Sequence, residues 1–305
     1  SMNLGAPPLL VPFDLLPPVE VEGPEIPPVN RLFIQALAGI PGLLTGAQNP
    51  GFNRVLEPFA ISSFARGMGT SGAGVGVVGI AMGPDGHVFA TGGPGRNQLF
   101  KLDLGGNTDA EALVTLDTPI YAIVFDRDGT LWATSGGGAL LEIDAETGTI
   151  LGRYGIGVTL GLAADPNSPV LFVATTEGVL RFNTDSRQFT SYSQTLVEGL
   201  AVDDSGNLWG IEWPGDDGAS RRLITFDAKG RASVVADLDA QALALTFGQS
   251  GTRLSGLLFV STASGDLYMV DAVSNESVLL AQGDNRGAFM AAGEDGRLYL
   301  GGSQG

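Results

Sequence analysis

A unit of about 40 residues, repeated from Gly79 onward, limits the fold of this chain more than any other feature. Its copies read "GIAMGPDGHVFATGG" from Gly79, "AIVFDRDGTLWATSGG" from Ala122, "GLAADPNSPVLFVATTEG" from Gly161 and "GLAVDDSGNLWGIEW" from Gly199. "ALALTFGQSGTRLSGLLFVSTASG" from Ala242 has a longer turn, and "GAFMAAGEDGRLYLGG" from Gly287 ends the series. Each copy opens with small and apolar residues, turns at Asp, Asn, Gly or Ser, and runs on into an apolar strand such as "TLWAT". A Gly-rich loop follows, then a third strand ending in an acidic or amide residue ("LLEID", "VLRFN", "LITFD") and a fourth, more polar strand. Short β-prone runs between such turns signal hairpins, and four antiparallel strands per unit make one propeller blade. An eight-stranded sandwich would give no reason for a four-strand period.

The expected fold is therefore all-β: a single β-propeller of four-stranded blades, six in number, with seven as the alternative. The small residues of the first strand suit a crowded axis. Trp132, Trp209, Phe89, Phe172, Phe259 and Tyr299 recur at one place in the second strand, which marks them as core between blades. The sixth unit stops after its second strand, at "RLYLGG". An unclosed ring exposes strand edges, so N-terminal strands from about 30–66 ("NRLFIQALAG", "NRVLEPFAISSF") are expected to complete the last blade of a propeller spanning 30–305. A seventh blade built from 28–78 is the other solution. Residues 1–29 form a separate Pro-rich arm; the prolines of "APPLLVPFDLLPPVEVEGPEIPPV" (6–29) exclude a regular helix and favour extended backbone. Its apolar residues call for a surface, on its own propeller or on a second copy through self-association of 6–29.

Composition narrows the function. The 305 residues carry a formal net charge of −17, which opposes nucleic-acid binding and suits solubility or cationic ligands. Cysteine is absent, so disulfides and Cys–metal sites are excluded. No apolar run reaches the roughly 18 residues of a membrane span. No signal peptide is visible behind Ser1-Met2, which reads as a scar with room for a removed one. An extracellular, periplasmic or cell-envelope setting is the expectation.

Blade topology sorts the loops onto two faces. Turns between first and second strands lie on one face, with Asp85, Asp128, Asp165, Asp203, Asp204 and Asp295 as turn formers. Loops leading into the first strand, and loops between second and third strands, share the other face, where propellers usually bind ligands. "EWPGDDGASRR" (212–222) is longer there than its counterparts. The ligand-binding candidates on this face are Glu198 and Tyr121 at the channel mouth, with Glu212, Trp213, Asp216, Asp217 and Arg286; Arg96, Asn97, Glu177 and Gln241 share it.

The one histidine, His87, follows a first turn and so falls on the opposite face. That argues against a Ser-His-Asp mechanism at the mouth. The glycines of "GTSGAGVGVVG" (69–79) lack the lysine of a P-loop. Carboxylate chemistry remains, either acid–base work or a hard-cation site for Ca²⁺ or Mg²⁺ with Glu198 and Asn285 as ligands.

The units "GLAVDDSGNLWG", "GIAMGPDGHVFAT" and "AIVFDRDGTLWAT…LLEIDAETG" resemble the NHL and streptogramin-lyase-like propellers over about residues 79–305, and more distantly the SMP-30/gluconolactonase group. For the lyases the resemblance implies catalysis with histidine and Mg²⁺ near the channel. For the gluconolactonase group it implies a channel metal held by Glu, Asn and Asp, with Glu198 as the Glu. The leading expectation is a non-catalytic propeller that presents its mouth and arm to a protein or small-molecule ligand. The alternative is a metal-dependent lactonase- or lyase-type enzyme.

Overall fold

The computed structural model describes residues 30–43, 51–107, 109–214, 222–238, 240–283 and 289–302. Helix α1 (Arg31–Leu37) and strands β1 (Pro41–Leu43) and β2 (Phe52–Leu56) come first. The first blade holds β3 (Gly79–Met82), β4 (Val88–Gly92), β5 (Gln98–Leu102) and β6 (Val114–Thr115). The second holds β7 (Ile123–Phe125), β8 (Leu131–Thr134), β9 (Leu140–Ile143) and β10 (Ile150–Tyr154). The third is β11 (Val158–Ala164), β12 (Val170–Thr175), β13 (Gly178–Asn183) and β14 (Gln188–Ser193). In the fourth are β15 (Val197–Val202), β16 (Leu208–Glu212), β17 (Arg222–Phe226) and β18 (Ala232–Asp237). The fifth comprises β19 (Ala242–Phe247), β20 (Leu257–Thr262), β21 (Leu267–Asp271) and β22 (Ser277–Gly283). A small sixth sheet pairs β23 (Met290–Ala292) with β24 (Leu298–Leu300). Every blade is an antiparallel meander in chain order.

The six inner strands touch in sequence, and β23 touches β3, so the ring closes through its first strands. The side chains repeat that closure, because each seam between neighbouring blades has its own apolar cluster. Phe89 packs on Ile123 and Leu131, Trp132 on Leu162 and Phe182, and Phe172 on Val197 and Leu200. Trp209 packs on Leu245, Phe259 on Met290, and Tyr299 on Val88 and Phe100 of the first blade. The recurring aromatics are thus the inter-blade core that their register predicted. The small inner residues are a steric requirement: a Cβ on Gly79 would overlap the Tyr121 carbonyl oxygen, and one on Gly161 would lie 3.2 Å from Glu198 O.

The N-terminal segment departs from expectation. Strand β2 does not extend the sixth blade; it pairs with β22, placing Val55 opposite Ala281, and β1 pairs with β2. The fifth blade becomes a six-stranded sheet. The edge of β22 is seven residues long and that of β24 three, so β22 offers the longer ladder. "RLFIQAL" is a helix, not a strand: the Asn30 carboxamide oxygen accepts from Leu32 N at 2.8 Å and caps it, and Leu32, Phe33 and Ala36 bury against the fifth blade. Residues 57–68 then cross the outside of the sixth blade as a strap. Phe59 and Ile61 pack with Leu298 and Leu300, Phe64 meets Tyr299 edge-on at 4.9 Å, and Ala65 bridges to Asn107 of the first blade.

Candidate functional site

The first turns behave as the sequence implies. Asp85, Asp165, Asp203 and Asp295 each accept a backbone N–H two residues on, at 2.9–3.1 Å. In the second blade Asp126, not Asp128, fills this role and accepts from Asp128 N and Thr130 N. Asp204 is not a turn former either; its carboxylate accepts from Ser255 Oγ of the next blade at 3.1 Å. His87 sits on this same face, with Nδ1 3.0 Å from Asp85 Oδ2 and Nε2 3.2 Å from Asp103 Oδ1. Lys101 joins the group at 2.8 Å from Asp85 Oδ2. Burial works against the Asp85 charge, yet its bonds to Lys101 and the His87 N–H hold its pKa below the usual carboxylate value.

The opposite face is built from the starts of the inner strands. Pairing Gly79 with Thr91, Gly199 with Ile211 and Ala244 with Ser261 fixes equivalent positions. The residue just before them is Val78, Tyr121, Leu160, Glu198 and Leu243 in blades one to five. Register shifts fall here in β11, β15 and β19, so Leu160, Glu198 and Leu243 stand in β-bulges, which re-aim side chains. Hydroxyls of one blade hold the carbonyls of the next: Thr91 Oγ1 donates to Tyr121 O at 2.9 Å and Thr134 Oγ1 to Leu160 O at 3.4 Å. Among the described residues, Glu198 is the one charged member of an otherwise apolar and aromatic ring.

The other candidates gather partly around it. Glu212 closes β16 directly opposite Val197, and its Oε2 lies 2.6 Å from Arg222 Nε, so this carboxylate is engaged in an ion pair. Trp213 donates its backbone N–H to Leu196 O at 2.9 Å, and its side chain is 46% exposed beside the exposed Leu196. Tyr121 is half-buried, with its ring against Gly136. Asp216, Asp217, Asn285 and Arg286 lie outside the described residues. Among the described residues no three of His, Cys, Asp and Glu come together as a metal-holding group, and no helix is long and apolar enough to cross a membrane.

This ring of blades can be placed among solved structures. Virginiamycin B lyase from Staphylococcus aureus matches with a TM-score of 0.53 at 16% identity, over 77% of this chain and 80% of that one. The fold is that of the streptogramin-lyase propellers. A second streptogramin B lyase structure matches at 16% identity over 75% of this chain and 91% of that one, with a TM-score of 0.50. The extracellular domain of a protein described as a hybrid two-component system, from B. thetaiotaomicron, aligns at 12% identity and a TM-score of 0.54, over 78% of this chain and 38% of that one. No family model and no curated protein matches. At these identities the likeness to the streptogramin lyases is one of fold.

Proposed function

We propose that this streptogramin-lyase-like propeller is a non-catalytic binding protein, acting outside the cell or in its envelope, that presents its channel mouth, together with its arm, to a protein or small-molecule partner. The observation that carries the reading is the mouth ring, in which Val78 is buried while Tyr121, Leu160, Glu198 and Leu243 keep exposed surface, flanked by the exposed Leu196 and Trp213. Apolar and aromatic surface with one carboxylate suits a partner offering aliphatic or aromatic groups beside a cation, and tryptophan is the residue type that most often anchors such contacts. Histidine chemistry has no support at this face. A Staphylococcus aureus lyase variant described as catalytically inactive carries a histidine-to-alanine change, whereas the one histidine of this chain, His87, belongs to the opposite face. The competing reading, a metal-dependent lactonase- or lyase-type enzyme, draws on fold likeness and on Glu198.

Titration with short peptides that place Lys or Arg beside Phe or Leu, read by the heat of binding in calorimetry, tests the proposal. Binding should weaken about tenfold in Glu198→Gln and be lost in Trp213→Ala. Saturable binding indifferent to both substitutions would contradict it.

A further inference from the structure

The sixth blade has only two strands among the described residues, and β24 pairs with β23 alone. Where its third and fourth strands would stand there is a groove of about 1150 Å³. Phe259, Leu267 and Leu280 of the fifth blade, Leu298 and Leu300 of β24, and Val88 and Leu102 of the first blade line it. The strap lines it as well through Phe59, Ile61 and Phe64, so the groove lies between the sixth blade and the strap. Protein interiors seldom hold voids larger than a water molecule, and an unpaired strand edge beside an apolar groove invites a strand.

The charge around this groove is unlike the rest of the chain. The protein carries 33 acidic and 16 basic residues, yet among the described residues Arg66, Arg253 and Arg297 line the groove and no Asp or Glu does. Arg297 is 3.6 Å from Asp295, and among the described residues no ion pair joins Arg66 or Arg253 to a carboxylate.

We propose that the groove is filled by this chain's own N-terminal arm, with residues 9–16, "LLVPFDLL", lying along the edge of β24 as the missing strand of the sixth blade. The tether starts at the right place. Asn30 Nδ2 donates to Arg253 O at 3.2 Å and to Ser255 O at 2.9 Å, and both Arg253 and Leu32 line the groove. The thirteen residues between Leu16 and Asn30 span roughly 40 Å when extended, ample to turn back across it. The arm's chemistry complements the site. Leu9, Leu10, Val11, Phe13, Leu15 and Leu16 are apolar, and residues 1–29 contain Asp14, Glu20, Glu22 and Glu25 but no Lys or Arg. Pro12 cannot donate to a further strand, so it suits an outer edge and would end the sheet there. A short tether gives an effective concentration in the millimolar range, which favours the chain's own arm over that of a second copy. The docked arm then belongs to the body that the protein presents to its partner, which refines the preceding proposal without resting on the mouth.

Amide hydrogen exchange on the full-length protein, with its solution mass measured alongside, provides the test. The proposal expects the amides of residues 9–16 to be protected at least tenfold over an unstructured peptide, in a monomer and independently of protein concentration. In a Leu10→Asp, Phe13→Asp, Leu15→Asp triple variant, protection of β24 should fall while blades two to four keep theirs, which also shows that the variant is folded. Unprotected exchange across residues 9–16 in the native chain would overturn the proposal. So would unchanged protection of β24 in the triple variant, or protection that appears only with a dimeric mass, which would assign the groove to a second copy.

Discussion

Arg187 Nη2 donates to Glu142 Oε1 at 2.6 Å, across the seam between the second and third blades. Arg187 Nε reaches Oε2 at 3.2 Å, Tyr154 OH donates to the same oxygen at 2.7 Å, and the guanidinium lies 5.3 Å over the Trp132 ring. The Glu142 side chain is 10% exposed, so these donors replace the water its oxygens would otherwise bind. Arg187 holds its position with φ at +58°, a left-handed conformation that side chains other than Gly rarely adopt.

Removing the arginine should therefore be costly in a particular way. Arg187→Ala is expected to destabilise by about 1–3 kcal/mol, because Glu142 loses two of its donors while the exposure of Arg187 tempers the loss. Arg187→Gly loses the same bonds but relaxes the backbone, and should be about 1 kcal/mol more stable than Arg187→Ala. Chemical denaturation of the two variants checks the order; Gly below Ala would contradict it.

The same cluster sets an alkaline limit. The hydrogen bond to Glu142, then burial, raises the Tyr154 pKa above the phenol's usual value. A group whose folded pKa is raised stabilises fully below its unfolded pKa, near 10, and the stabilisation is lost as pH rises through the folded value. Tyr154→Phe should therefore shrink the alkaline decline in Tm, while Tyr192 and Tyr299, also raised, keep a remnant of it. An unchanged alkaline limb would refute this origin.

At the acid end the sign reverses. The Thr147 backbone N–H and then its hydroxyl lower the Asp144 pKa; the Arg231 N–H and then its guanidinium lower that of Asp227. Their contributions are complete above about 3.9 and are lost as pH falls through the lowered folded values. Asp227→Asn is expected to flatten the acid decline, which calorimetry across pH 2–6 would show.

Equivalent tryptophans should not be equally important. Trp132 Nε1 donates to Asp126 Oδ2 at 2.8 Å, both groups being buried. At Trp209 the matching carboxylate, Asp203, is taken by Asn207, and among the described residues the buried indole N–H has no hydrogen-bond partner. Trp132→Phe strands a buried carboxylate oxygen and should cost about 1–3 kcal/mol more than Trp209→Phe, which removes an unsatisfied donor. Equal losses would argue that volume alone matters at these sites.

These contrasts show which parts of the molecule could be read beforehand. Blades were legible because one spacing of small strand, turn, aromatic and acidic end recurs in register, so every copy supports the others. The N-terminal segment has no sister copy, and its short apolar runs fit any exposed edge. Only Asn30 ahead of Leu32, Phe33 and Ala36 hinted at a capped helix. Topology assigns Glu198 and Tyr121 to one face, whereas the bulge that re-aims Glu198 is a backbone property the sequence does not spell out. The Glu142 clamp joins residues 45 positions apart. Its signal was present but faint: the residue facing the repeat aromatic across the third strand is Lys101, Glu142 and Arg181 in blades one to three, a charge where an apolar residue would be routine. Lys101 and Arg181 lie over Phe89 and Tyr192, so these chains cover aromatic rings with their charged heads.

Metal dependence separates the binding reading from the enzyme reading most directly. The Tm of the full-length protein should be measured with Ca²⁺, Mg²⁺, Mn²⁺ and a chelator, in the native chain and in Glu198→Gln. A non-catalytic mouth predicts the same Tm in all four conditions. A metal bound at one hundred times its Kd would add about 2.7 kcal/mol, roughly 5 °C; a rise of that size, reversed by the chelator and absent in Glu198→Gln, would contradict the account.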